Sequence, residues 1–230
     1  MFFDYFSLMR IVSKILLFSF LIPLFSCEKD NSSPQLNLDY FGLNKGAYIE
    51  YQVTEISHDI DALIQHDTMY YQLKTLIGDN FVDNQGRIAN KFLRYKRMNS
   101  TDNWQLTDVW TTIIDDNRGE LVEENQRIIK LVFPPSKGKE WNPNAFNNMN
   151  VQEFYYAQIH KPYLNFDSTL FVEQDDFLSL VDRRKKHEVY AKGIGLIHKY
   201  FKDLKITGFD TLNVQLGKEL YYDYLSHGVQ

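Results

Sequence analysis

The chain contains a single cysteine, Cys27, so no internal disulfide can form and stability has to come from a packed core. It has no uninterrupted apolar run approaching the roughly 20 residues that a transmembrane helix needs. Positive charge is not in excess: the net charge is −5, which argues against a nucleic-acid partner, since such partners are held by basic patches. Recognisable catalytic signatures are missing as well. There is no Gly-x-Ser-x-Gly, no His-Glu-x-x-His, no Cys-x-x-Cys and no phosphate loop. These gaps lower the expectation of an enzyme, and no cofactor or metal is expected.

What is present begins at the amino terminus. Arg10 and Lys14 are the only basic residues before Cys27, and they precede an apolar stretch from Ile15 to Phe25 broken by Ser19 and Pro23. A basic flank, an apolar core of about 7–15 residues and a small-residue cleavage site describe a secretory signal. Translation from Met9 instead of Met1 would leave that signal intact. Leu24-Phe25-Ser26-Cys27 resembles the lipobox of bacterial lipoproteins, with Phe25 departing from the small residues usual there. The resemblance implies transfer of a diacylglyceryl group to the Cys27 thiol, cleavage between Ser26 and Cys27 and N-acylation of the new terminus, so that Cys27 carries palmitate-like chains. Two or more acyl chains hold a protein durably on a membrane, whereas one does so only marginally.

Glu28 to Gln35 reads EKDNSSPQ, polar and poor in hydrophobic residues, as expected of a solvated tether. Glu28-Lys29-Asp30 resembles the short export signal of Bacteroidota surface lipoproteins, which leaves two locations open: the periplasmic side of the outer membrane or the cell surface. The expected organisation is a signal segment at 1–26, a lipidated cysteine and tether at 27–44, and one domain at 45–230. Residues 1–26 carry Asp4, Arg10 and Lys14, so the processed chain has a net charge of −6, gives no electrostatic attraction to anionic lipid and is expected to meet the membrane through its acyl anchor.

After residue 26 the chain holds fourteen Tyr, eleven Phe and three Trp, types that favour half-buried strands. Period-two alternation runs through 46–57, 68–77, 87–97 and 104–114, the last with Trp104, Leu106, Trp110, Thr112 and Ile114 in one register. A turn is expected at 116–119, then strands at 120–124 and 127–133. Residues 134–150 are rich in Pro, Asn and Gly and read as one long loop. Strands resume at 151–160, 170–173, 187–192, 195–204 and 210–224. A short helix is expected at 175–180, and a loop or helical turn at 58–67. About ten strands with short connections, and no alternation with long helices, predict a mainly β, antiparallel and strongly curved sheet. It would be a lipocalin-like barrel, a half-barrel or a pair of stacked sheets, with few short helices.

The segment from Tyr190 to Lys199, with Gly193-Ile194-Gly195-Leu196, resembles a pattern in uncharacterised Bacteroidota lipoproteins. Glu124 to Arg127, Leu131 to Pro134 and Trp141-Asn142 resemble the same set. The resemblance implies location and fold, not an activity. Gly193 and Gly195 read physically as a bulge or tight bend.

Candidate sites are few. His58, Asp59, Asp61, His66 and Asp67 could hold a divalent ion, but a solvated acidic loop is preferred because the spacing fits no known metal motif. Glu173, Asp175 and Asp176 could form a cation site or half of a glycosidase carboxylate pair, against acidic residues at a helix start. Arg183 to Lys186 reads as an exposed turn or strand edge, where charge deters edge pairing. Trp104, Trp110, Trp141, Tyr155, Tyr156 and Tyr163 could stack a glycan or line a pocket, against ordinary core packing. The expected role is a membrane-anchored, non-catalytic binding or structural protein engaging a partner protein or glycan. The alternative is a carrier of a lipophilic ligand inside the curved sheet, and a weaker one is a hydrolase with an unrecognised site.

Overall fold

The computed structural model describes residues 35–230. The signal segment, cleavage at Ser26–Cys27, lipidation of Cys27 and the start of the tether lie outside the described residues. The strands are β1 (Ala47–Asp59), β2 (His66–Val82), β3 (Ile88–Arg97), β4 (Gln105–Asp115), β5 (Arg118–Glu123), β6 (Gln126–Val132), β7 (Glu140–Trp141), β8 (Phe154–Tyr163), β9 (Phe166–Leu178), β10 (Asp182–Ala191), β11 (Gly195–Thr207) and β12 (Asp210–Val229). They form one antiparallel sheet of 12 strands in the order β6-β5-β4-β3-β2-β1-β12-β11-β10-β9-β8-β7, curled into a nearly closed barrel. The expectation of a mainly β, strongly curved antiparallel sheet is met.

Strands β1 to β6 and β7 to β12 each pair with their sequence neighbours, and β1 also pairs with β12, zipped from Ala47↔Val229 to Asp59↔Leu216. That pairing buries the two terminal strands in mid-sheet. The free edges therefore fall in the middle of the chain, at β6 and β7, on either side of the segment 133–139. An open edge exposes unpaired backbone groups. Here side chains and loop backbone cover it. The Ile129 amide donates to Pro143 O at 2.9 Å, and Trp141 Nε1 donates to Ile129 O at 3.0 Å. Asn147 Nδ2 donates to Arg127 O at 2.8 Å. The Tyr156 hydroxyl accepts from the Val132 amide at 3.0 Å and donates to Val132 O at 2.8 Å, standing in for a strand residue. The Pro-, Asn- and Gly-rich composition of 134–150 prevents a continuous ladder, so closure is made one group at a time.

The inner face of the seam is sealed by a core that includes Tyr40, Leu131, Phe133, Tyr156 and Leu170, all fully buried. Tyr40 belongs to a 3₁₀ turn at Leu38–Phe41. Its hydroxyl lies 2.7 Å from His160 Nδ1 and 2.6 Å from Ser168 Oγ. Residues 36–44 are thus part of the folded body and not of a solvated tether, because Leu38, Tyr40 and Phe41 give them an apolar face. The turn caps one end of the barrel. A Cβ on Gly119 would come within 2.7 Å of the Phe41 ring, and one on Gly42 (φ +55) within 2.3 Å of Ile194 O. Both glycines allow backbone contact that no side chain could share.

Other expectations are corrected. Residues 175–178 continue β9 and form no helix, because Asp175 and Asp176 pair across the sheet with Lys186 and Lys185. Arg183 to Lys186 is no edge: it lies in β10, between β9 and β11, with Arg184 Nε 2.7 Å from Asp175 and Lys186 Nζ 2.7 Å from Asp203. Opposite charges facing across strands stabilise the pairing. His58, Asp59, His66 and Asp67 lie in strands, leaving only 60–65 as the hairpin tip. A bulge opposite Arg94/Tyr95 breaks the single register expected for 104–114, so that Leu106 is exposed.

An aromatic ladder crosses four strands: Phe171–His187 (centroids 4.6 Å), His187–Tyr200 (4.9 Å) and Tyr200–Tyr221 (4.9 Å). Burial pushes the His187 imidazole down to about 4, with help from the nearby positive charge of His198 and Lys185.

Two outcomes are expected. Tyr156→Phe leaves two Val132 backbone groups unpaired and lowers stability by about 1–3 kcal/mol; urea unfolding reads this as a lower midpoint at unchanged slope. His187 protonates near 6.5 when unfolded and near 4 when folded. The unfolded state then binds more protons in that window, so stability falls as pH drops through it. His187→Phe flattens this part of the pH–stability profile; an unchanged profile contradicts the assignment.

Candidate functional site

Strand alternation sends one set of side chains into the barrel. Ile49, Ile77, Phe92, Trp110 and Leu121 form apolar walls of a cavity of about 100 Å³ that Phe41, Leu43 and Ile194 floor at the capped end. Five charged residues share the lining: Arg94, Glu123, Lys130, Glu188 and Lys199. Their placement follows from register. Glu188 and Lys199 are direct cross-strand partners on β10 and β11. Lys130 is the extra residue of a bulge in β6, since Glu120 pairs with Ile129 and Gly119 with Leu131. Bulges re-aim single side chains, and this one sends a lysine into the lumen.

Glu188, almost completely buried, is the centre of the arrangement. Lys130 Nζ donates to its Oε1 at 2.7 Å, and the Tyr190 hydroxyl donates to its Oε2 at 2.6 Å. Lys199 Nζ stands 3.8 Å from Oε1. Burial alone would raise the carboxyl, but the Lys130 and Lys199 charges outweigh it and hold Glu188 below the usual carboxylate range. Burial would likewise lower the Lys199 ammonium, and Glu188 reverses that and raises it. Burial raises Tyr51 and Tyr190, so both present neutral hydroxyls; Tyr51 donates to Leu196 O at 2.6 Å. Arg94 is held by Asp108 at 3.0 Å and by the Tyr222 hydroxyl at 3.2 Å, with its guanidinium 4.2 Å from the Trp110 ring centroid. An apolar chamber with a few fixed charges is suited to orienting a small amphipathic guest.

Of the six aromatic residues singled out in the sequence, only Trp110 lines this chamber, stacked 6.3 Å from Phe92. Trp141 and Tyr156 lie 4.8 Å apart in the seam core. Trp104 sits with Lys74 at 5.1 Å and Arg97 at 4.2 Å from its ring. Tyr155 is exposed beside a polar groove shared with Glu173, Asp175 and Asp176. Tyr163 lies 5.8 Å from His198. They form no common surface. His58 and His66 do meet, Nδ1 to Nδ1 at 2.8 Å, and His58 Nε2 lies 3.1 Å from Glu219. Lys202 and Tyr221 also bind that carboxylate. Among the described residues no group of three His, Cys, Asp or Glu side chains could hold a metal ion. Arg94, Lys130, Glu188 and Lys199 escape sequence reasoning. The one legible signal is Lys130, a charge inside the apolar run from Ile128 to Val132.

Replacing Glu188 with Gln leaves two lumen ammonium groups without their counter-charge and is expected to cost about 3–5 kcal/mol. Adding Lys130→Met recovers much of the loss, which a double-mutant cycle measured by chemical denaturation detects as strong coupling. Additive losses would mean that the pair is not a unit. Comparison with known proteins gives no match, whether to a family model, a curated protein or a solved structure.

Proposed function

We propose that this chain is an envelope lipoprotein, anchored through acyl chains on Cys27, that carries a small amphipathic ligand inside its barrel. The observation that carries the reading is the chamber itself: apolar walls around a buried Lys130–Glu188 pair at the centre of a nearly closed sheet. A filled interior with one exposed aromatic patch would have favoured a purely surface-binding role, and the aromatic residues are instead dispersed. A cavity near 100 Å³ is of the order of the ~150 Å³ apolar cavity that holds benzene, so the cargo is small and not a whole lipid. The location follows from the lipobox resemblance: the outer membrane, facing the periplasm or the exterior. Among the described residues no helix is long and apolar enough to cross a membrane.

A second reading, binding of a partner protein, is favoured by one specific surface. Three neighbouring hairpin tips carry exposed apolar side chains: Ile60, Leu63 and Ile64; Phe209 and Leu212; and Leu178, Leu180 and Val181. Backbone bonds join them, Ile60 N to Gln215 O at 3.0 Å and Phe209 N to Leu180 O at 3.4 Å. Contiguous exposed apolar surface marks interaction sites.

Native mass spectrometry of the soluble form, residues 28–230 secreted into a bacterial periplasm, tests the two readings together. A small-molecule adduct released on denaturation is the expected result for the carrier. Bare protein in every preparation overturns it, and a protein bound in stoichiometric amount favours the second reading.

A further inference from the structure

The charged groups of the chamber are not equally occupied. Arg94 is committed to Asp108, Tyr222 and the Trp110 face. Lys130 and both oxygens of Glu188 are committed to one another and to Tyr190. Lys199 is different. Its ammonium carries three donors, yet its ion-pair partner, Glu188 Oε1, is 3.8 Å away, beyond hydrogen-bond distance. The Tyr222 ring centroid lies 5.6 Å from it, and the charges of Glu123 and Arg94 also act on it. The side chain keeps about a quarter of its surface accessible, 23%, and it lines the cavity. A cation with unspent donors, bordering space lined by Ile49, Phe92, Trp110 and Leu121, offers a fixed positive end and an apolar body to a guest.

We propose that the guest is a small carboxylate with an apolar body, seated with its carboxylate on Lys199 Nζ and its hydrocarbon against Phe92, Trp110 and Leu121. This rests on the carrier reading and adds the sign and size of the ligand. Charge-assisted hydrogen bonds to a partly desolvated ammonium supply selectivity, and the apolar walls supply most of the burial. Glu123, which also lines the cavity and acts electrostatically on Lys199, forms no ion pair within 4.0 Å among the described residues and disfavours a second negative group. The guest is therefore a monoanion, not a phosphate or a dicarboxylate.

The test is titration of residues 28–230, which contain all the described residues, with three probes of the same ring size: benzoate, benzyl alcohol and benzylamine. Calorimetry or amide NMR gives the dissociation constants. Benzoate is expected to bind at least about tenfold more tightly than the other two. Lys199→Met is expected to abolish the preference for benzoate over benzyl alcohol, and Lys199→Arg to retain it. A melting curve on each variant separates lost affinity from lost folding. If benzoate and benzyl alcohol bind equally, or benzylamine binds best, the chamber remains a binding site and the carboxylate assignment falls. If no probe binds to the folded protein, the carrier reading falls and the assignment with it.

Discussion

The architecture depends on how one free sheet edge is satisfied. Pairing of the first strand with the last moves both open edges to the middle of the chain, where a Pro- and Asn-rich connection cannot supply a ladder. The Tyr156 hydroxyl meets both backbone groups of Val132, and Trp141, Asn147 and Pro143 meet those of Arg127 and Ile129. Buried backbone groups left unpaired are costly, so without these contacts the sheet would splay. A splayed sheet has an inner face but no interior.

Closure also sets the chemistry of the interior. The same strand that forms the seam carries the bulge that turns Lys130 inward, where it reaches Glu188 on β10, 58 residues away in the chain. That ion pair ties the seam strand to the opposite part of the sheet. It is weak evidence for stability, since desolvation offsets much of the Coulombic gain. It does fix a polar point in an otherwise apolar chamber. The capping turn completes the enclosure: Tyr40 is held by His160 and Ser168, and Phe41 rests on Gly119. The seam, the bulge and the cap together make a small chamber from a sheet whose strands are individually ordinary.

The class of fold was legible because alternation in β1 to β4 reports two faces, one wet and one dry, and turn residues separate the runs. Strand ends were less legible. Asp175, Asp176 and Arg183 to Lys186 look like a helix start and a loose turn when read alone, and only their mutual pairing makes them a ladder. The bulges in β4 and β6 were invisible, and they decide which way Trp110, Leu106 and Lys130 point. The seam escaped for a related reason: Tyr156 and Trp141 read as generic aromatics, while their role lies in polar atoms aimed at a strand far from them in sequence. The chamber charges were hidden because β10 is charged at position after position, which masks the one carboxylate, Glu188, that turns inward. His58 and His66 were grouped by proximity in the chain, but Glu219 joins them from 161 residues away.

The seam is tested most directly by native-state hydrogen exchange at the amides of Ile129 and Val132. Closure by loop and side-chain acceptors predicts protection at these two amides comparable to that of the central strand β1, with exchange governed by global unfolding. Exchange at the rate of an open strand edge, with β1 still protected, would contradict it and remove the enclosed chamber on which the functional reading stands.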